Sequence, residues 1–287
     1  MDDRSIVEIK DIGNKNLILF FLITYSFSWL LLLPSLLSSV LFSTQVVLYE
    51  ILKIIASFGP FVAAFILTLV NEGKEGVKYL WKRGWHCENK PFLVISIFFI
   101  PLLYFSSLIL VILFEGIIPY SLVFWPNPIV IITEFALVFF LAGPFQEEFG
   151  WRGYALDRLQ LRFNALTSSI ILGMIWGIWH LPSFFIIGTN QENQPFYPFF
   201  FSVIVLSVLF TWIYNSSNRS ILTTMIFHAT INGSNYIFRL DQTSLGFWFY
   251  RVLLNLAVVY IILKFGPKNL SYSPKKEKKS FIVKDLI

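Results

Sequence analysis

Residues 129–146 read IVIITEFALVFFLAGPFQ, and the chain continues directly into EEFGWRGY at residues 147–154. The first stretch is almost entirely apolar, and its length is close to what a helix needs to cross about 30 Å of hydrocarbon. Because a membrane interior offers no water, the backbone of such a stretch satisfies its hydrogen bonds by forming a helix. The pattern predicts a transmembrane helix that ends at two carboxylates and an arginine.

Similar apolar stretches recur along the whole chain of 287 residues, of which 56% are apolar and only 14% are charged. Soluble domains carry about 25% charged residues, so the composition excludes a soluble enzyme, a disordered chain and a rod-like coiled coil. We therefore predict an all-α polytopic membrane bundle of about eight transmembrane helices. The apolar stretches lie at 17–41, 46–70, 91–114, 129–146, 166–187, 199–214, 221–238 and 246–263.

The basic residues favour one side of this layout. Of the 22 Lys and Arg residues, 19 lie in alternate connecting segments, and the positive-inside rule assigns those segments to the cytoplasm. Both termini are then cytoplasmic, as an even number of spans requires, in a multi-pass protein of the cell membrane. Orientation also explains the basic balance, so no nucleic-acid partner is predicted. The segments are 1–16, 71–90, 147–165, 215–220 and 264–287.

Several polar side chains lie within or beside the apolar stretches, where an ionisable group is costly and is by default a functional candidate. We expect them to converge on one polar site. Pairs four residues apart share a helical face. The candidates are Glu147, Glu148 and Arg152 at the end of the fourth stretch, Trp176 and His180 in the fifth, and His228 and Asn232 in the seventh.

The spacing separates the two glutamates. Glu148 lies four residues before Arg152 and can pair with it, whereas Glu147 points elsewhere and remains available. An available carboxylate can deprotonate water, and an imidazole can share the proton. An Asn amide or a second His can stabilise an oxyanion.

Hydrolysis is therefore the chemistry that these residues favour, with or without a metal. Glu147, His180 and His228 could equally form a two-His-one-carboxylate zinc site with an open position. The chain lacks His-Glu-x-x-His, Gly-x-Ser-Gly and Gly-x-Gly-Asp motifs, which mark other intramembrane hydrolases. Its single cysteine, Cys87, excludes a Cys-rich zinc site.

The order Glu147-Glu148-x-x-x-Arg152, aromatic-x-x-x-His180 and His228-x-x-x-Asn232 resembles the CPBP family. That family comprises type II CAAX prenyl endopeptidases and bacterial bacteriocin-processing or immunity proteins. The resemblance covers about residues 130–240. It differs at Trp176, where the family pattern has Phe, and we expect the larger ring to preserve the packing.

The resemblance implies a role for each residue of an intramembrane endopeptidase that opens toward the cytoplasm. Glu147 and His180 would activate water, and His228 and Asn232 would hold the oxyanion. Glu148 and Arg152, with Trp176, would organise the site. The implied substrates are membrane proteins or peptides within the bilayer, and the oligomeric state is left open.

Two choices stay open at this point. The family includes proteins described as metalloproteases and as metal-free glutamate proteases. Because Asn232 is a poor zinc ligand and a good hydrogen-bond donor, we favour a site that needs no cofactor, with zinc as the alternative. The alternatives to an endopeptidase are a non-proteolytic immunity or membrane-binding protein on the same fold, and a transporter that uses the polar residues as a proton relay.

The resemblance completes the predicted organisation of the chain. It consists of a cytoplasmic N-terminal segment (1–16), about three N-terminal transmembrane helices (17–128), a catalytic core (129–240), a last transmembrane helix (241–265) and a basic cytoplasmic tail (266–287).

Overall fold

The computed structural model describes residues 3–41, 46–116, 127–192, 194–238, 240 and 245–272, and these residues form helices without any strand. The all-α prediction is confirmed. The helices are α1 (Asp3–Leu41), α2 (Val46–Ala56), α3 (Gly59–Arg83), α4 (Lys90–Glu115), α5 (Pro128–Leu141), α6 (Pro144–Gly150), α7 (Asp157–Gln160), α8 (Ala165–Trp179), α9 (Phe196–Ser216), α10 (Ile221–Phe238) and α11 (Gly246–Phe265). A π-helical turn, Trp151–Leu156, joins α6 to α7, and a 3-10 turn, Leu181–Phe185, follows α8.

Within the described residues, six helical segments are long and apolar enough to cross a membrane, or seven if the pair α2 and α3 counts as one broken span bent by 44°. The prediction of about eight spans exceeds this number. The remaining predicted span, 221–238, does form helix α10, but its Thr, His, Asn and Ser side chains make it less apolar than the others. Of these polar side chains, His228 and Asn232 belong to the site described below.

The segment 147–165 was predicted as a cytoplasmic connection. In the structure its first part continues an apolar helical segment that runs from Ile129 to Gln160, through α5, α6, the π-helical turn and α7. Every residue from Gln146 to Leu156 is buried, including the charged side chains of Glu147, Glu148 and Arg152. These charges pair with one another and with indole groups inside the bundle, and the side of the membrane on which they lie stays a prediction.

Helix α6 and the π-helical turn occupy the centre of the bundle, in contact with α3, α8 and α10. Between α5 and α6 the chain breaks at Gly143, whose φ of 109° lies in the region that favours glycine. Pro144 then starts α6, where its missing N–H leaves no helical hydrogen bond unmade. The break turns the start of α6 toward α10.

Helix α8 is held along its length by its neighbours. A Cβ atom on Gly173 would lie 2.8 Å from Ile204 Cα of α9, so the absence of a side chain there allows α8 and α9 to approach closely. From α1, Tyr25 donates a hydrogen bond to the Ile175 carbonyl (2.5 Å) and Trp29 donates one to the Trp179 carbonyl (3.1 Å). These contacts fix the turn of α8 that carries Trp176 and His180.

The first part of the predicted basic tail packs against the bundle. The carbonyls of Lys268 and Pro267 accept hydrogen bonds from the first backbone N–H groups of α8, at 3.1 Å and 3.0 Å. Leu270 is fully buried. The lysine-rich stretch at 275–279 and the rest of the predicted tail after residue 272 lie outside the described residues.

Candidate active site

Glu148 connects two of the predicted motifs. Its Oε1 accepts a hydrogen bond from Arg152 Nη1 at 2.7 Å and lies 2.8 Å from His228 Nδ1. Glu148 and Arg152 are both fully buried, so the predicted pairing is confirmed, and it is an interior ion pair rather than a solvated helix end. Because a carboxylate only accepts, Nδ1 of His228 carries the shared proton and Nε2 is left for other partners.

Arg152 lies between two aromatic rings. Its guanidinium carbon is 3.7 Å from the ring centre of Phe210 and 4.5 Å from that of Trp176. Rings hold a cation by their negative faces, and this attraction is strongest where water is absent. The side chain therefore stays charged at the centre of the bundle with a single carboxylate bound to it.

Glu147 is held by two indole groups. Its Oε2 accepts a hydrogen bond from Trp176 Nε1 at 2.7 Å and from Trp151 Nε1 at 3.2 Å. The carboxylate is 4% exposed, and donation from both indoles fixes its orientation. Trp176 thus does more than fill the position of the family's Phe, because a Phe ring cannot donate this hydrogen bond.

Trp151 was missed as a site residue in the sequence. A signal existed, since Trp151 follows Glu147 by four residues, the same spacing that identifies the Glu148–Arg152 pair. Gln146 was missed as well. It is fully buried, and its Oε1 accepts a hydrogen bond from the Gly143 N–H at 2.7 Å, which holds the break before α6 in place.

The second oxygen of Glu147 and the ring of His228 border the same small volume beside Gly143. A Cβ atom on Gly143 would lie 2.6 Å from Glu147 Oε1 and 3.4 Å from His228 Nε2. The Gly143 backbone therefore packs so closely against the Glu147 carboxylate that a side chain at this position would collide with it. Glu147 Oε1 and His228 Nε2 lie near each other, on the same side of Gly143.

His180 lies one turn after Trp176, at the end of α8. Its Nδ1 donates to the Trp176 carbonyl at 2.8 Å, because a carbonyl can only accept, and this leaves Nε2 as the free nitrogen. The ring packs edge-on against Trp176 and Trp179. Glu147 and His228 both lie close enough to His180 to interact with it electrostatically.

Asn232 holds the carbonyl end of α5. Its Nδ2 donates a hydrogen bond to the Ala142 carbonyl at 2.9 Å. An amide nitrogen has two N–H groups, so one remains for another acceptor. The sequence places Asn232 on the face of His228, and the structure adds that it is tied to the residue just before Gly143.

The predicted metal ligands do not form a ready metal site. Among the described residues, no three His, Cys, Asp or Glu side chains converge closely enough to hold a metal ion. Glu147 Oε2 is engaged by two indoles, and Nδ1 of both histidines is engaged by an acceptor. Oε1 of Glu147 and Nε2 of both histidines are not engaged in this way, and a zinc-binding histidine commonly donates its other ring N–H to a carboxylate or carbonyl, so zinc stays the alternative.

Comparison with known proteins identifies the family of the chain. The family model for type II CAAX prenyl endopeptidase Rce1-like proteins matches residues 128–234, which hold every residue of the site. The "CAAX prenyl protease 2" of Methanococcus maripaludis is 30% identical over 211 residues, covering 70% of this chain and 77% of that protein. The chain belongs to this family. The match begins and ends within a few residues of the predicted core at 129–240.

A more distant similarity joins this Rce1-like protein to a bacterial protein with a different name. The "Lysostaphin resistance protein A" of Staphylococcus haemolyticus is 26% identical over 140 residues, which cover 47% of this chain and 35% of that protein.

The indole of Trp176 gives a test of the Rce1-like site. Trp176→Phe keeps an aromatic ring against Arg152 but removes the N–H that holds Glu147. We expect about a tenfold or larger loss of kcat, because a hydrogen bond to a charged group is worth about 1.5–3 kcal/mol. Thermal unfolding of the variant and hydrolysis rates at saturating substrate measure the two effects.

Trp212→Phe is the matched control, since it shortens another buried tryptophan, whose ring packs against Phe92, Phe99 and Phe265 rather than against the site. Unchanged kcat in Trp176→Phe would show that packing alone explains the aromatic residue at this position.

Proposed function

We propose that this protein is an intramembrane endopeptidase that hydrolyses peptide bonds with a water molecule activated by Glu147. One observation carries the proposal. The buried carboxylate of Glu147 has one oxygen held by two indole N–H groups, and its other oxygen, which those indoles do not bind, lies beside Gly143 near the ring of His228. A general base needs such a fixed orientation and a free oxygen within reach of water.

The reaction follows from the free atoms of the site. Glu147 Oε1 takes a proton from water, the water oxygen bonds to the carbonyl carbon of the substrate, and the carbonyl oxygen gains the negative charge. His228 Nε2–H and the second N–H of Asn232 stabilise that charge. The C–N bond then breaks, and the leaving amine receives a proton from Glu147 or His180.

Glu148 prepares His228 for this role. To donate from Nε2, the imidazole must carry protons on both nitrogens, and the Glu148 carboxylate at Nδ1 stabilises that charged form. Arg152 holds Glu148 in turn. The arrangement resembles a carboxylate that orients a catalytic histidine, with the arginine as an additional support.

The proposal favours chemistry without a metal, and chelation tests it. Proteolysis by the detergent-purified protein is expected to survive treatment with a strong chelator, because among the described residues no three His, Cys, Asp or Glu side chains converge on a metal position and Asn232 is a poor zinc ligand. Metal analysis of the same sample is the second measurement. Zinc at one ion per chain, with activity lost on its removal and restored by its return, would contradict this expectation.

Substrates are proposed to be membrane-associated proteins or peptides. Because the Methanococcus maripaludis relative is named a CAAX prenyl protease, we include prenylated CAAX peptides among the proposed substrates. The test compares the carboxyl termini of membrane proteins, by mass spectrometry, in cells that express the wild-type chain or Glu147→Gln. A CAAX peptide with and without its prenyl group is then offered to the purified protein, and shortened products are expected only from the wild type.

An immunity or membrane-binding protein is the second candidate, and the name of the Staphylococcus haemolyticus relative favours it. This alternative predicts that cells with Glu147→Gln keep the phenotype of the wild type. Identical membrane proteomes in the two strains would support it against the endopeptidase.

Both termini are proposed to lie in the cytoplasm, with residues 71–90 on that side and 188–198 on the other. In a Cys87→Ser background, Asn190→Cys is expected to react with an impermeant thiol reagent in intact cells. Lys78→Cys, at a side chain that is 72% exposed, should react only after permeabilisation. Labelling of Lys78→Cys in intact cells would reverse the orientation.

A further inference from the structure

A groove of about 500 Å³ lies between α9 and α11, away from the candidate active site. Tyr197 and Phe201 line one wall, and Arg251 and Asn255 line the other. No residue of the Glu147 site borders it. A ligand in this groove would therefore bind apart from the site of the proposed hydrolysis.

Arg251 is the unusual residue of this groove. Its guanidinium carbon lies 4.0 Å from the ring centre of Phe247 and 5.6 Å from that of Trp248. Its Nε is buried without a hydrogen-bond partner, and no carboxylate of the described residues lies within ion-pair distance of it.

Other arginines in the spans differ from Arg251 in this respect. Arg152 pairs with Glu148, and Arg158 pairs with Glu72. A cation within a membrane span is costly unless an anion accompanies it. The described part of the protein places no carboxylate beside Arg251, so its guanidinium is available to an anion from the surroundings.

The position of Arg251 matches the level of lipid headgroups. Helix α11 begins at Gly246, so Arg251 lies about 7.5 Å along the helix at about 1.5 Å per residue. Exposed aromatic rings surround this end of the bundle, with Tyr197 74% and Trp248 59% exposed. Such rings mark the boundary between hydrocarbon and headgroups.

We propose that the groove binds one anionic glycerophospholipid, with its phosphodiester paired to Arg251. A guanidinium is suited to phosphate because its N–H groups can bind two phosphate oxygens at once. Below the arginine, Phe201, Val205 and Leu254 provide an apolar wall for an acyl chain. Ser202 and Asn255 add polar atoms to the lining of the groove.

Native mass spectrometry of the full-length protein in detergent tests this proposal. The probes are phosphatidylglycerol, a diacylglycerol with the same chains but no phosphate, and inorganic phosphate. Wild type is expected to retain one phosphatidylglycerol, and Arg251→Gln to bind it about tenfold more weakly, as the loss of a charged hydrogen bond implies. Ser202→Phe keeps the charge but fills the groove, and it should weaken binding as well.

Lys264→Gln is the matched control, because it removes one positive charge from the same helix at its other end, where the ammonium packs on Tyr260. It should retain the lipid as wild type does. Equal binding of phosphatidylglycerol by wild type and Arg251→Gln would overturn the proposal, and so would equal retention of the diacylglycerol. Displacement of the lipid by inorganic phosphate would indicate a simple anion site and would overturn it too.

Discussion

Arg152→Ala is expected to lower the free energy of unfolding by about 3–5 kcal/mol, the usual cost of leaving one partner of a buried ion pair alone. Glu148 would remain fully buried with only His228 beside it, and the rings of Phe210 and Trp176 would border a cavity. Thermal or denaturant unfolding in detergent measures this loss. Activity should fall with it, because Glu148 would no longer hold His228 in one position.

Lys78→Ala is the control for the removal of a cation from an intrahelical pair. Lys78 and Glu75 are 72% and 82% exposed, so their pair should contribute less than about 1 kcal/mol. The double variant Glu148→Gln, Arg152→Met should regain part of the stability, since neither neutral side chain leaves a lone charge. A loss in Arg152→Ala no larger than that in Lys78→Ala would contradict the interior position of the pair.

Glu147→Gln is expected to reduce proteolysis by a factor of about 10²–10⁴, the contribution that a general base makes to such reactions. The amide can keep its oxygen toward the indoles of Trp151 and Trp176 and so preserve both hydrogen bonds. Its nitrogen then occupies the place of Oε1, where it cannot accept a proton from water. Initial rates of peptide cleavage and the unfolding midpoint are the two measurements.

The contrast between the two neighbouring glutamates makes this test specific. Glu147→Gln should leave stability within about 1 kcal/mol of wild type, because no buried charge loses a partner. Glu148→Ala should destabilise the fold strongly, because it leaves Arg152 without its carboxylate. If Glu147→Gln unfolds the protein while Glu148→Ala does not, the proposed roles of the two residues are reversed.

The local part of this site was predictable from spacing. Glu148 and Arg152 are four residues apart, and one helical turn brings them together wherever the helix lies. The contact between Glu148 and His228 spans 80 residues, and no periodicity within a helix reports such a contact. It requires α6 and α10 to pack side by side, which depends on the break at Gly143.

The full burial of the charged side chains was not predictable from hydrophobicity. Two glutamates and an arginine after an apolar stretch indicate the end of a span when each charge is counted separately. In the structure, the charges are compensated locally, by Arg152 for Glu148 and by indole N–H groups for Glu147. A hydrophobicity count registers the charges but not the partners that stabilise them in the interior of the bundle.

The π-helical turn at Trp151–Leu156 fixes how far α7 is rotated about the helix axis relative to α6. Such a turn contains one residue more than an α-helix needs, and a helix advances about 100° with each residue. A one-residue deletion here could restore a regular helix yet rotate α7 by about a quarter of a circle relative to Glu147 and Glu148. Insertions or deletions of one residue should therefore be tolerated in the loop before α9. Within the π-helical turn they should abolish activity even when the protein still folds.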